Sequence, residues 1–394
     1  MGLYPARSME RAMKFQEVIL RAMSKQITWM QAAEILGMSD RNMRRYRNRL
    51  DKGGYDGLAD RRTQRPSPKR VPMAEAEAVL RLYREQYFDF NVLHFHEKLR
   101  QEHGISLSYT WVKNALQEAG LVVRAKKRGR HHKRRPRRPL PGMMLHIDGS
   151  THAWLGGHRR FDLVTVMDDA TSEIYYARFV DEESTESVMA ALRSVVETQG
   201  VFCSLYSDRA SHFVFTPAGA TKPDRSVRTQ VGRALEQLDI ELIHANSPQA
   251  RGRCERSYGT LQGRLPQELR AAGIDTIEGA NRFLCTYLPK HNKQFTVEAE
   301  PGTAFVPYAG GDLDKVFSKH HERVIGNDNV VSFGKIKLQI ERQTFRFSMA
   351  KCRVLVCEHL DGTISVYYGP NLLGRYDTAG LALTPTKAKS TRAA

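Results

Sequence analysis

Three acidic side chains stand out by type and place: Asp148 after the apolar run MMLHI, Asp208 after FCSLYS, and Glu255 within SPQARGRCERSYGTLQGRL. Both aspartates fall where a β-rich run gives out, and the edge at which the strands of an α/β sheet end is where ligands and metals are commonly held. Glu255 is expected about two turns into a helix that starts at Ser247-Pro248, so a third carboxylate can face the same rim. Carboxylates brought together repel one another and resist ionisation unless divalent cations neutralise them, and hard oxygen ligands suit Mg²⁺ or Mn²⁺. Zinc is disfavoured: Cys203, Cys254, Cys285, Cys352 and Cys357 are scattered, with no CxxC and no accompanying His spacing. The same odd set argues against a disulfide framework and for a reducing cytoplasm.

Neighbouring polar residues read more plainly. Asp168 and Asp169, after FDLVTVM, are expected to form an exposed turn. Asp181, Glu182 and Glu183 precede a helix and supply favourable charge at its N-terminus. His146 shares a strand face with Asp148 and reads as a packing residue. Cys254 is given no chemistry, because successive helical residues point about 100° apart.

The elements that must position these groups follow from the pattern of apolar residues. MMLHID, FDLVTVMD and EIYYARFV predict three strands in a meander, STESVMAALRSVVETQ a crossover helix, and FCSLYSD a further strand. A polar stretch from Thr216 to Thr229 leads to a helix RALEQL, a strand IELIHA and a helix running through residues 247–288; the sum is a mixed α/β sheet. After an irregular connection to Pro307, the runs NVVSFG, KIKLQI, TFRFS, RVLVCEHL and ISVYYG predict a small antiparallel β-barrel, and TPTKAKSTRAA a mobile tail.

The front of the chain differs in charge. Residues 1–138 carry 31 Lys and Arg against 14 Asp and Glu, a net +17, whereas residues 139–394 carry 30 against 29. That asymmetry predicts a polyanion-binding front end on a neutral body. Apolar spacing at Met13, Phe15, Val18, Ile19 and at Ile27, Met30, Ala33, Ile35, Leu36 marks helices; Thr28 can cap WMQAAEIL, Gly37 can end it, and Ser39 or Asp40 can cap RNMRRYRNRL. This is a helix-turn-helix whose second helix offers Arg41, Asn42, Arg44, Arg45 and Arg47 to double-stranded DNA. After a linker, AEAEAVLRLYREQY and SLSYTWVKNALQEAGL form a second such unit, with Ser108 capping a helix that buries Trp111, Val112 and Leu116 and exposes Tyr109, Thr110, Lys113 and Asn114. Residues 124–138 hold ten Lys or Arg, among them Lys126, Lys127, Arg128, Arg130, Lys133, Arg134, Arg135, Arg137 and Arg138. An extended segment of that kind tracks phosphates without reading sequence.

With these motifs in place the chain resembles the DDE transposases, specifically those of ISNCY-type insertion sequences, within the superfamily that includes retroviral integrases. HIDGS, LYSDRASHF and NSPQARGRCERSYGTLQGRLPQELR resemble its three acidic motifs; AAEILGMSDRNMRRYRNR, ALQEAGL, the basic linker and HHERVIGNDNVVSFGKIKLQIE extend the likeness over nearly the whole chain. The resemblance implies an RNase H-like catalytic core, a catalytic and metal-binding triad of Asp148, Asp208 and Glu255, and two Mg²⁺ (or Mn²⁺) ions per site serving DNA cleavage and 3′-OH strand transfer. Integrase-like members have about thirty-five residues between the second Asp and the Glu; here 46 intervene, the surplus falling in TPAGATKPDRSVRTQ. They also often carry a basic residue seven positions after the Glu; here that position is Gln262, with Arg264 two further on, which leaves open the basic side chain that holds the DNA end.

The expected organisation is therefore multidomain: 1–59 a first helix-turn-helix domain, 60–72 a linker, 73–123 a second helix-turn-helix, 124–140 the basic linker, 141–290 the RNase H-like α/β core, 291–323 a connector, 324–380 the small β-barrel and 381–394 the tail. Partners would be transposon ends and target DNA, in a homodimer or larger synaptic assembly, since two ends must be joined. No apolar run reaches the length of a membrane span and MGLYPARSMERAMKF lacks a signal-peptide core, so a cytoplasmic, nucleoid-associated protein is expected. Two rivals are a nuclease of the same fold and a DNA-binding regulator with an inert body.

Overall fold

The computed structural model describes residues 6–58, 71–123, 136–157, 159–217, 224, 227–245 and 252–383. The chain divides into two compact units, residues 1–79 and 80–394.

In the first unit α1 (Ala6–Met23), α2 (Trp29–Ile35) and α3 (Asp40–Leu58) enclose a core of Phe15, Val18, Ile19, Ala32, Ala33, Met43 and Leu58. Thr28 caps α2 through a reciprocal box with Gln31, and Gly37 adopts φ 61° beyond its end, so the turn between α2 and α3 follows from local chemistry. The apolar stripe is narrower than expected, because Met13, Met30 and Ile35 remain exposed. Gly54, at φ 56° and ψ −146°, breaks α3 near its C-terminal end.

Helix α4 (Met73–Glu85) spans the division between the units. The second unit continues with α5 (Val92–Gln101) and α6 (Tyr109–Glu118), capped by Asn91 and Ser108 respectively. Val112 and Leu116 are buried as expected, whereas Trp111 is only half-buried.

The centre of this unit is a mixed five-stranded sheet in the order β3-β2-β1-β4-β5: β1 (Leu145–His152), β2 (Phe161–Asp168), β3 (Ile174–Val180), β4 (Ser204–Ser207) and β5 (Glu241–His244). β1, β2 and β3 form an antiparallel meander, and β4 joins β1 in parallel after the crossover helix α7 (Thr185–Thr198). Period-2 alternation sorts the two faces. Leu145, Ile147, Val164 and Val166 pack against α7 and α8 (Gln230–Gln237). Leu163, Met167 and Phe179 pack with residues of α9 (Gly252–Gln262), α10 (Leu265–Ala271) and α11 (Ile277–Phe295). The sheet is thus the middle of three layers.

The single long helix expected over residues 247–288 is three helices in its described part. Gly263, whose added Cβ would crowd the Gly259 carbonyl, separates α9 from α10, and the segment from Ala272 to Thr276 separates α10 from α11. Helix α11 continues past Tyr287 to Phe295 despite Pro289, so the connector begins later than expected.

Beyond α12 (Leu313–Val316) lie β6 (Lys319–Val324), β7 (Val330–Phe333), β8 (Ile336–Gln339), β9 (Arg353–Glu358), β10 (Ile364–Tyr368) and β11 (Asn371–Tyr376). They form a four-stranded sheet, β11-β10-β9-β6, and a separate two-stranded ribbon, β7-β8, which share one core. The ladders therefore make two sheets among the described residues, not one closed sheet. TFRFS is not a strand: Phe345 and Phe347 are exposed, and Arg346 Nε donates to the Ser348 carbonyl.

Candidate active site and its acidic rim

Parallel pairing brings the two aspartates level. Leu145 is in register with Leu205 and His146 with Tyr206, so Asp148 and Asp208 each lie two residues further along neighbouring parallel chains. Two residues is one pleat repeat, so both aspartates fall on the face shared by His146 and Tyr206, whose rings meet edge to face at 5.1 Å. Asp208 directly follows the last residue of β4, but Asp148 is not at a strand terminus: β1 runs on to His152, paired with β2 throughout. What ends beside Asp148 is its parallel partner. Both aspartates are half-buried, and Asp208 Oδ1 accepts the Ala210 amide at 2.9 Å.

Helix α9 is tied across the same face. The Tyr258 hydroxyl donates to the main-chain oxygen of Asp148 and shares a 2.8 Å hydrogen bond with Thr165 Oγ1, the residue opposite Asp148 on β2. One turn later Gln262 Nε2 donates to Ser150 Oγ at 3.0 Å. Glu255 belongs to this stripe, at i−3 from Tyr258 and i−7 from Gln262, and is exposed. It lies in the first turn of the described part of α9; Ser247-Pro248, the expected start, fall outside the described residues. Burial first, and then the charge of Asp148, push the Tyr258 phenol well above its usual range, so it remains a proton donor to the strand.

Hard carboxylate oxygens on the shared face suit a hard divalent cation. Among the described residues, however, no group of three or more His, Cys, Asp and Glu is gathered closely enough to hold one. The sheet aligns Asp148 and Asp208, and Glu255 stands on α9 outside any such cluster.

A fourth carboxylate lies at this rim. Glu183, expected only to favour the start of α7, lies against Gly149, where an added Cβ would overlap its carboxylate. His212 Nε2 is 2.9 Å from Glu183 Oε1, an ion-pair distance without hydrogen-bond alignment. Nothing local in the sequence signals this, because the contact joins residues from β1, the α7 N-terminus and the segment after β4.

Asp168 and Asp169 are not an exposed turn but are fully buried. Asp168 accepts the amides of Gly142 and Thr171 at 2.9 and 2.8 Å. Asp169 accepts from His146 Nε2 at 2.7 Å, from the Arg138 amide at 2.8 Å and from Arg253. Burial alone would raise the Asp169 pKa, but these hydrogen bonds outweigh it and hold the carboxylate well below its usual range. His146 is thus a hydrogen-bond partner of Asp169 as well as a packed ring.

The residues expected to meet DNA divide into three groups. Arg41, Asn42, Arg44, Arg45 and Arg47 are exposed on α3, with Arg44 2.9 Å from Asp40 and the Arg47 guanidinium 5.1 Å from the Trp29 ring centroid. Tyr109, Thr110 and Asn114 are exposed on α6 and Lys113 is half-buried. Lys126, Lys127, Arg128, Arg130, Lys133, Arg134 and Arg135 fall outside the described residues. Arg137 and Arg138 are held to the core: Arg137 donates to the carbonyls of Asp169 and Ala170 at 2.9 and 3.1 Å, and Arg138 through its amide as above. Arg264 departs most from expectation. It is buried, its guanidinium makes two hydrogen bonds to Glu97 at 2.6 and 3.0 Å, and it ties α5 to the core instead of facing solvent.

A family model described as a helix-turn-helix domain matches residues 16–67. Over 363 residues the chain is 32% identical to a protein of Sinorhizobium fredii (strain NBRC 101917 / NGR234) named as transposase y4bF, covering 91% of this chain and 79% of that one. Over 364 residues it is 27% identical to the transposase for insertion sequence IS1202 of Streptococcus pneumoniae, covering 84% and 78%. Among solved structures, a chain of the simian T-cell lymphotropic virus intasome in complex with PP2A regulatory subunit B56 gamma overlays loosely at 14% identity and TM-score 0.33, covering 78% of this chain and 99% of that one. The HTLV-2 integrase catalytic core domain in complex with magnesium overlays at 14% and 0.27, covering 36% and 83%.

Proposed function

The chain belongs to the transposase family of its two relatives of similar extent, and from that premise we propose that it binds the terminal inverted repeats of its own element, cleaves there and joins the exposed 3′-hydroxyl to target DNA. The observation that carries this reading is the register of Asp148 and Asp208 on adjacent parallel strands, with α9 fastened across them by Tyr258. In this reading the central sheet is an RNase H-like core and Asp148, Asp208 and Glu255 are its catalytic carboxylates. Asp148 and Asp208, joined by Glu255 from α9, would hold Mg²⁺ or Mn²⁺, two ions per site in this reading, and the metal would supply activation of the attacking oxygen and neutralisation of the leaving one.

The strand chemistry is two in-line displacements. Water attacks phosphorus at the element's end, and the bond to the 3′-oxygen breaks, leaving a 3′-hydroxyl and a 5′-phosphate. That hydroxyl then loses its proton and attacks a target phosphodiester, whose own 3′-oxygen departs. The contribution of the chain is positional: Tyr258 holds the β1 backbone at Asp148, the hydrogen bond to Ala210 orients Asp208, and the Glu183–His212 pair borders Gly149. Exposed basic residues of α3 and the exposed face of α6 meet the duplex. Two ends must be brought together, so the working form is at least a dimer.

The test is incubation of purified protein with labelled element-end duplex and Mg²⁺ or Mn²⁺, wild type against Glu255→Gln. Nicked and joined products in the wild type, lost in the variant while duplex binding persists, are expected. Binding by the wild type with no metal-dependent cleavage at verified ends would replace this reading with that of a DNA-binding regulator.

A further inference from the structure

Helix α9 has a second working face. Tyr258 and Gln262 reach β1, whereas Arg253, Arg256, Ser257 and Thr260, at i, i+3, i+4 and i+7, share a different stripe. That stripe lines an open cavity of about 220 Å³ whose other walls include Arg137, from the end of the basic linker, and His291 of α11. Among the described residues that line it there are three arginines and no carboxylate.

Two of the guanidiniums are already aimed by the core. Arg253 is fixed by the buried Asp169, and Arg137 by the carbonyls of Asp169 and Ala170. Arg256 is exposed and donates through Nε to the Gly252 carbonyl. The Ser257 hydroxyl adds a short donor on the same stripe, whereas the Thr260 hydroxyl donates to the Arg256 carbonyl at 3.1 Å. His291 is only 5% exposed, and its buried Nδ1 has no hydrogen-bond partner among the described residues. Planar guanidiniums with an adjacent hydroxyl donor are the chemistry that recognises a phosphate group.

We propose that this cavity seats a backbone phosphate of bound DNA, so that α9 carries Glu255 on one stripe and a phosphodiester anchor on the next. The inference rests on the transposase reading for the identity of the polyanion. It places the end of the basic linker, through Arg137, against the same phosphate, giving the DNA path a fixed point on the helix that carries Glu255.

The experiment is metal-free duplex binding by fluorescence anisotropy over a range of chloride concentrations, comparing wild type with Arg256→Ala, Ser257→Ala and, as a control, Arg282→Ala, an exposed arginine on α11 outside the cavity. Loss of one phosphate contact should lower the slope of log K against log salt by about 0.9 and weaken binding several-fold in Arg256→Ala, with a smaller loss in Ser257→Ala and none in Arg282→Ala. Unchanged affinity and slope in Arg256→Ala would overturn the proposal while leaving the transposase reading intact. An equal effect in Arg282→Ala would assign the change to net charge and overturn it too. A parallel titration with inorganic phosphate, read by thermal stability, separates the sources: stabilisation lost in Arg256→Ala without any change in duplex binding would make this a free-anion site. Failure of the wild type to bind any duplex would instead remove the DNA reading on which the proposal stands.

Discussion

Asp169 shows how one buried carboxylate can organise its surroundings. It accepts from His146, from the Arg138 amide and from Arg253, and so joins β1, the incoming linker and α9 at one point. Asp169→Asn would keep the shape but leave the buried Arg253 without its counter-charge, and breaking a buried pair in that way costs about 3–5 kcal/mol. Chemical denaturation should show that loss, and a variant within about 0.5 kcal/mol of wild type would refute the role. Gly149 is a second sensitive position. A methyl group there must displace the Glu183 carboxylate and with it the 2.9 Å approach to His212. Gly149→Ala is expected to bind duplex normally and to lose at least tenfold in cleavage; unaltered cleavage would show that the position of Glu183 is immaterial.

At the scale of elements, α5 is locked to α10 by charge. Arg264 pairs with Glu97, Glu268 accepts from His94 and Lys98 at 2.7 and 2.9 Å, and Arg270 pairs with Asp89 at 2.7 Å. The lowered Glu268 pKa means an ionised carboxylate, raised by burial but lowered more by the hydrogen bonds from His94 and Lys98. Asn91, the cap of α5, also donates to the Gly263 carbonyl at the α9–α10 break, so one residue starts one helix and satisfies the end of another. Helix α5 is therefore fastened to the helices that pack on the central sheet. A double-mutant cycle on Glu97→Gln and Arg264→Gln should return a coupling of about 1–3 kcal/mol in urea unfolding. Additive effects would mean that the pair does not fasten α5.

At the scale of the whole molecule, one buried and one half-buried histidine tie stability to pH. His291 and His320 are both pushed down to about 4, by burial first and then by the charges of Arg264 and Arg233 respectively. In the unfolded chain each returns to the ordinary value near 6.5. Between about pH 6.5 and 4 the unfolded state binds more protons than the folded state, so stability rises with pH through this window and falls on acidification. The melting temperature is expected to drop by several degrees from pH 7 to pH 5, and His291→Gln should flatten part of that slope. A profile that is level from pH 7 to 5 would contradict the burial of these rings in the folded protein.

Local chemistry in the chain itself determined the caps at Thr28 and Ser108, the turn at Gly37, the order of strands and crossover helix, and the placing of a basic front end before a neutral body. Each depends on residues a few positions apart, where spacing and side-chain type decide the outcome. The apolar runs that carry Asp148 and Asp208 were legible because strand spacing is a local feature, although Asp148 lies within β1 and not at its end. Only the tertiary structure decided that β1 continues past Asp148 while its parallel partner stops, that Asp168 and Asp169 are buried, that Arg264 faces Glu97, and that Glu183 borders Gly149. Those outcomes join residues far apart in the chain, and a charged side chain takes its role from whichever partner the packed layers bring within hydrogen-bonding distance.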